Sequence, residues 1–202
     1  MLDVYFIRHG ETYCNQEGRH TGWLEYPLTD NGRLQAERSG HYFGKMQFDR
    51  YYCSDLCRTR ETFKYVFGED KECVYTPVLR ELSSGDLAGH KYEECYEMHG
   101  EKYTIARQGW NYRCFGGEDM QDLYDRAQAF MDEMAALPKD VHRVAAVSHG
   151  GMIRACASLI VGGTMPDFPM TVSNCACFVL RLNDAGKWSV RHWNWIAPEN
   201  ME

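Results

Sequence analysis

Apolar positions recur along this chain in two rhythms, one of short unbroken runs and one at helical spacing. Leu2 to Ile7 is a nearly continuous apolar run. It predicts a first strand buried on both faces. Thr29 offers a helix N-cap, with Ala36, Gly40 and Phe43 recurring behind it at helical spacing. DRYYCS at 49–54 reads as a second strand, after which Ser54 or Asp55 is expected to cap a helix running through Thr62 to about Phe67. The clearest period comes later: Met120, Leu123, Tyr124, Ala127, Phe130, Met131 and Met134 mark one face of a long amphipathic helix. RVAAVSH at 143–149 is a buried strand, and Ile153, Cys156, Ala157 and Ile160 line a further helix. Residues 175–182 and 187–195 read as two strands around the turn NDAG. Between 82 and 118 the period loosens, which predicts an insertion with one helix near 91–99.

Strands alternating with helices predict an α/β fold: three layers, α/β/α, around a mostly parallel sheet with the final hairpin as an antiparallel edge. The 202 residues show no linker and no repeat, so one domain over 1–202 is expected. In such sheets ligands gather at the carboxyl ends of the strands. Strand ends are therefore where chemistry is to be sought.

Composition narrows the function classes. Apolar residues are 44% of the chain and aromatics 13%, enough for a sizeable core. A formal charge of −7 argues against a general nucleic-acid surface, so any anion must meet a local basic site. No stretch approaches the ~20 apolar residues of a membrane helix and no basic leader precedes an apolar core, which predicts no membrane partner and a cytoplasmic location. The nine cysteines contain no CxxC pair and mostly sit in apolar patterns, as reduced structural thiols do. Nothing in the pattern specifies an oligomeric state.

Two sites repeat one arrangement. Arg8-His9-Gly10 and Ser148-His149-Gly150-Gly151 each stand where an apolar strand stops and a glycine turn begins, so both histidines should emerge at one rim. A lone strand-end histidine is most simply a polar side chain satisfied by a nearby carbonyl; a matched pair with an adjacent arginine is not so easily explained. Asn15 is close enough to His9 for a turn to return its amide to that rim. Arg58 is expected one turn into a helix that starts at a strand's carboxyl end, where the helix N-terminus already favours anions and a guanidinium adds forked donors. Alone it would pass for a solvated helix charge or a partner of Glu61 or Glu37. Together, two arginines, two histidines and an asparagine describe a pocket for a phosphoryl group. A metal on His9 and His149 is the competing reading, disfavoured by the flanking guanidinium charges and the lack of a carboxylate cluster.

RHGETYCN at 8–15, GRHTGWLEYPLTDNG at 18–32, SDLCRTRET at 54–62, LRELSSGDLAG at 79–89, GGEDMQDLYDR at 116–126 and SHGG at 148–151 together resemble the ordered blocks of the histidine phosphatase, or phosphoglycerate-mutase-like, superfamily. The resemblance implies a phosphohistidine mechanism that needs no metal or cofactor. His9 would attack phosphorus, Arg8, Arg58 and His149 would hold its oxygens, and Glu81 would give a proton to the leaving oxygen and later take one from water. Asn15, Thr21, Gly22 and Gly150 would complete the binding site, and the partner would be a small phosphorylated metabolite. LSSGDLAG after Glu81 is similar to the phosphatase branch, although Ala88 replaces the glutamate common there and nearby Asp86 could share proton transfer with Glu81. HTGW at 20–23 is similar to the mutase branch. Hydrolysis is expected, with phosphoglycerate mutase as the alternative and an inert phospho-ligand module as a third reading. Tyr92, His99, Tyr103, Trp110 and Tyr112 are expected either to roof the pocket or to pack the insertion onto the rest.

Overall fold

A computed structural model of the chain describes residues 1–163 and 170–201. Its sheet has six strands: β1 (Leu2–Arg8), β2 (Arg50–Ser54), β3 (Val74–Thr76), β4 (Arg143–Ser148), β5 (Cys177–Leu182) and β6 (Trp188–Trp195), in the spatial order β3-β2-β4-β1-β5-β6. β1, β2, β3 and β4 run parallel, and β5 and β6 add the antiparallel edge. Six α-helices cover it: α1 (Tyr13–Gln16), α2 (Asp30–Phe43), α3 (Cys57–Phe67), α4 (Tyr92–Gly109), α5 (Met120–Ala135) and α6 (Gly150–Val161).

The central strands are apolar through their middle, with charged or polar residues at or near their ends, because both faces are covered. On β4, Val144 and Ala146 join a cluster with Phe6, Phe130, Met134 and Met152, under α5 and α6. Ala145 and Val147 face the other way, onto Ala36, Phe43, Phe63 and Val66 of α2 and α3. Strand period two thus divides one run between two apolar layers, giving the expected three-layer fold.

Three local expectations need correction, and one strand is added. α3 starts at Cys57 with Leu56 as its N-cap residue, and neither Ser54 nor Asp55 caps it. Asp55 is drawn off by Arg80, whose Nε and Nη2 reach it at 2.7 and 2.6 Å, while a Glu25 oxygen accepts the Cys57 N–H at 2.6 Å. The helix near 91–99 continues to Gly109 across a kink at Gly100 (φ +53°, ψ −127°), which a glycine adopts without the Cβ penalty. β3 was invisible to the pattern: three residues long, with Val74 and Tyr75 about half exposed, it exists through pairing with β2. β5 begins at Cys177 and not at 175, because Cys175 has a positive φ of 54° and its N–H turns to the Arg8 carbonyl at 3.1 Å.

Candidate active site

Adjacency of β1 and β4 builds the site. Arg8 is in register with Ser148, and the His9 N–H continues the ladder to the Ser148 carbonyl at 3.0 Å. The residues after the two strands, His9 and His149, therefore sit side by side with ring centroids 5.2 Å apart.

His9 is 4% exposed, and its Nδ1 lies 2.7 Å from the Gly10 carbonyl. A carbonyl only accepts, so Nδ1 carries the proton and Nε2 keeps its lone pair. Burial first, then the Arg58 and Arg8 charges, hold this imidazole well below the ordinary histidine range. A neutral ring with a free Nε2 is a nucleophile ready for use.

Arg58 enters from the first turn of α3 and is 1% exposed. Its Nη1 and Nη2 donate to the Leu24 and Gly22 carbonyls at 3.1 and 2.8 Å, and its Nε donates to His149 Nδ1 at 3.2 Å. Burial lowers its pKa to about 10, which leaves it cationic at neutral pH. Because His149 Nδ1 accepts from Arg58, its Nε2 carries the proton and donates to Ser54 Oγ at 2.9 Å. Arg8 donates through Nη1 to the Val172 carbonyl, and its Nε is buried without a partner. Arg8 lines the cavity, so its guanidinium charge is available to an anion there.

Glu81 stands across the cavity. One carboxylate oxygen accepts the Leu82 N–H at 2.9 Å and the other accepts the Gly151 N–H at 3.1 Å. A Cβ on Gly151 would come within 2.1 Å of the first oxygen, so only glycine permits this approach. Gly22 is required for two reasons: its φ is +49°, and a Cβ there would stand 2.7 Å from Ser84 Oγ.

A cavity of about 380 Å³ joins these groups. Arg8, His9, Arg58 and Glu81 line it, with Asn15, Thr21 and Gly22 beside them. Asn15 Oδ1 accepts from Asn174 Nδ2 at 3.4 Å and from the Thr12 N–H at 3.2 Å, so capping α1 leaves its amide nitrogen for the cavity. His149 is fully buried behind His9, both ring nitrogens satisfied within the protein; to touch a phosphoryl oxygen it must release Arg58 or Ser54. Gly150 also stands behind, where an added Cβ would be 3.6 Å from Arg8 Nε. Asp86 is exposed and away from the lining.

Residues of α4 and the turn after it supply the outer wall. Tyr92, Trp110 and Tyr112 line the cavity, as does Arg107, whose guanidinium lies 4.4 Å over the Tyr92 ring. His99 instead packs on Phe115 at 4.9 Å, and Tyr103 is buried with its hydroxyl 2.8 Å from His20 Nε2. Burial lowers the His20 pKa to about 4. The pattern of the sequence did not single out His20, Ser84 or Thr62 for the site, and it gave Ser54 only as a helix cap. Ser54 was legible by the strand-end rule, since it closes β2; Thr62, whose Oγ1 accepts the Gly10 N–H at 3.0 Å, acts one turn behind the site and carried no such mark. Among the described residues no three His, Cys, Asp or Glu side chains converge as a metal site, and no helix is long and apolar enough to cross a membrane.

Known proteins resemble this chain in sequence and in fold. The profile of the histidine phosphatase superfamily (branch 1) matches residues 4–196. Phosphoglycerate mutase-like protein 4 of Arabidopsis thaliana is 30% identical over 202 residues, covering 96% of this chain and 86% of that protein. The structure of Bacillus stearothermophilus YhfR superposes with a TM-score of 0.89 at 24% identity over 100% of both chains. The α-ribazole phosphatase of Shigella flexneri gives 0.86 at 23% identity over 96% of each, a likeness of fold. With the family profile spanning nearly its whole length, the chain belongs to the histidine phosphatase superfamily.

Proposed function

We propose that the protein hydrolyses the phosphomonoester of a small metabolite in two steps through a phosphohistidine on His9, without a metal ion. In the first step the His9 Nε2 lone pair forms the P–N bond as the P–O bond to the alcohol breaks, and Glu81, entering as the acid, gives its proton to the departing oxygen. In the second, Glu81 takes a proton from water, the oxygen attacks phosphorus, and the P–N bond breaks to return neutral His9. Throughout, the Gly10 carbonyl holds the Nδ1–H, which balances the positive charge that the ring gains on phosphorylation. Arg8 and Arg58 are fixed before substrate arrives, so the charge on the equatorial oxygens meets donors that need not reorganise; losing one such donor costs ~100- to 1,000-fold in rate.

The observation that carries this reading is the pairing of a buried neutral His9 with the guanidinium groups of Arg8 and Arg58 on one cavity. The cavity's size, about 380 Å³, suits a metabolite, and its aromatic wall suits a ring or sugar on the alcohol side. A sugar phosphate, phosphoglycerate or α-ribazole phosphate meets that description. The test is release of inorganic phosphate from a metabolite panel with chelator present. Release supports the proposal. Conversion of 3-phosphoglycerate to 2-phosphoglycerate faster than phosphate appears would replace hydrolysis with phosphotransfer, and silence across the panel would remove both.

A further inference from the structure

Glu81 belongs to a segment without ladder hydrogen bonds, yet an acid must be placed to a fraction of an ångström. Its carboxylate is held in front by Gly151; its main chain is held from behind by a pair that no part of the mechanism uses. Arg126, on α5, donates through Nη1 to the Arg80 carbonyl at 2.6 Å and the Val78 carbonyl at 3.2 Å. Its Nη2 donates to the Glu81 carbonyl at 3.2 Å and to a Glu118 oxygen at 2.8 Å. That same Glu118 oxygen accepts the Ser83 N–H at 2.9 Å. One ion pair therefore grips the chain on both sides of residue 81, with its two side chains 19% and 17% exposed. Neither residue lines the cavity.

The two halves of the site hang from different elements, although Trp23, donating to the Glu81 carbonyl at 2.7 Å, and Arg80, paired with Asp55, also tie the Glu81 segment to the Arg58 side. Arg8 and His9 hang from β1, and Arg58 from α3, whereas the Glu81 segment is tied by this pair to α5. We propose that Arg126 and Glu118 are positioning residues for proton transfer: by fixing the chain around Glu81 they set the reach of its carboxyl group to the leaving oxygen, and leave the attack of His9 untouched. The assignment rests on the phosphatase reading above. An arginine is needed because its planar fork serves several oxygens at once, which a lysine's point charge does not.

Selectivity by leaving group tests it. The quantity is kcat/KM, which covers events up to the phosphoenzyme, for an alkyl phosphate that needs a proton and for 2,4-dinitrophenyl phosphate that departs without one. Arg126→Met is expected to lose about 10- to 100-fold on the alkyl ester and to stay within about 3-fold on the aryl ester. Glu81→Gln should show the same pattern, and adding Arg126→Met to it should cost little more on the alkyl ester, because the placed acid is already gone. Arg126→Lys should not restore the alkyl rate. Glu118→Gln keeps the shape of the side chain and supplies the same test if Arg126→Met fails to fold. Equal losses on both esters, no loss on either, or full additivity with Glu81→Gln overturns the assignment. A wild-type protein that releases phosphate from neither ester overturns the phosphatase reading itself, and that is seen before any substitution is made.

Discussion

At the scale of single residues the site depends on which protonation states are held ready. Burial and two guanidinium groups keep His9 neutral, so the acid side of its kcat/KM profile should fall off well below the ordinary histidine pKa of ~6.5. Arg58→Gln removes one of those charges. It should cost ~100- to 1,000-fold in kcat and move the acid limb toward higher pH, because His9 then protonates more readily. A pH–rate series on both proteins reads this; an unmoved limb with an unchanged kcat would contradict the placement of Arg58. Much at this scale was legible in the sequence. Arg8, His9 and His149 declare themselves by standing at the ends of apolar strands, whereas Glu81 declares nothing by pattern, being set in an irregular segment whose place is fixed by Arg126, Trp23 and Gly151 from distant parts of the chain. The hydrogen bonds of His149 to Arg58 and Ser54 were equally out of reach, since they join three elements.

At the scale of elements, the glycine turn that opens α6 is fitted to the Glu81 carboxylate opposite. Gly151→Ala would bring a Cβ to 2.1 Å from a Glu81 oxygen and 3.1 Å from its carboxyl carbon, and the carboxylate must swing aside. The expected result is a loss of about 10-fold or more in kcat/KM on poor leaving groups, with a melting temperature near that of the parent protein, since the displaced group is a partly exposed side chain. A variant that hydrolyses alkyl esters as well as the parent would show that Glu81 need not stand where it does. Elements with a long period, such as α5, or a buried run, such as β4, could be read directly. β3 and the second half of α4 could not: the first owes its form to pairing with β2, and the second is separated from the first half by Gly100, which looks like an end. The start of α3 misled for a related reason, because its cap comes from Glu25 across space.

At the scale of the whole molecule, three histidines, His9, His149 and His20, are buried and held below their ordinary range. In the unfolded chain each binds a proton below ~6.5, and in the folded chain only at lower pH. The unfolded state thus holds more protons in that window, so stability rises with pH through it, and is lost progressively as pH falls from ~6.5 toward the folded values, about 4 for His20. Asp49, Asp55 and Asp119, all held low by hydrogen bonds or an arginine partner, are expected to add their share of acid lability only below the ordinary aspartate range. Thermal melts should therefore decline between pH 7 and pH 5, less steeply in His20→Phe; a flat profile would contradict the buried neutral rings. The claim on which everything else turns is the covalent one. The parent protein, Glu81→Gln and His9→Ala are mixed rapidly with substrate, quenched in base, and analysed for phosphate that survives alkali but is released by acid. The expected result is such phosphate on the peptide containing His9, up to one per chain and longest-lived in Glu81→Gln, with none in a folded His9→Ala. Turnover of substrate with no acid-labile phosphate, or with phosphate on another residue, would contradict it.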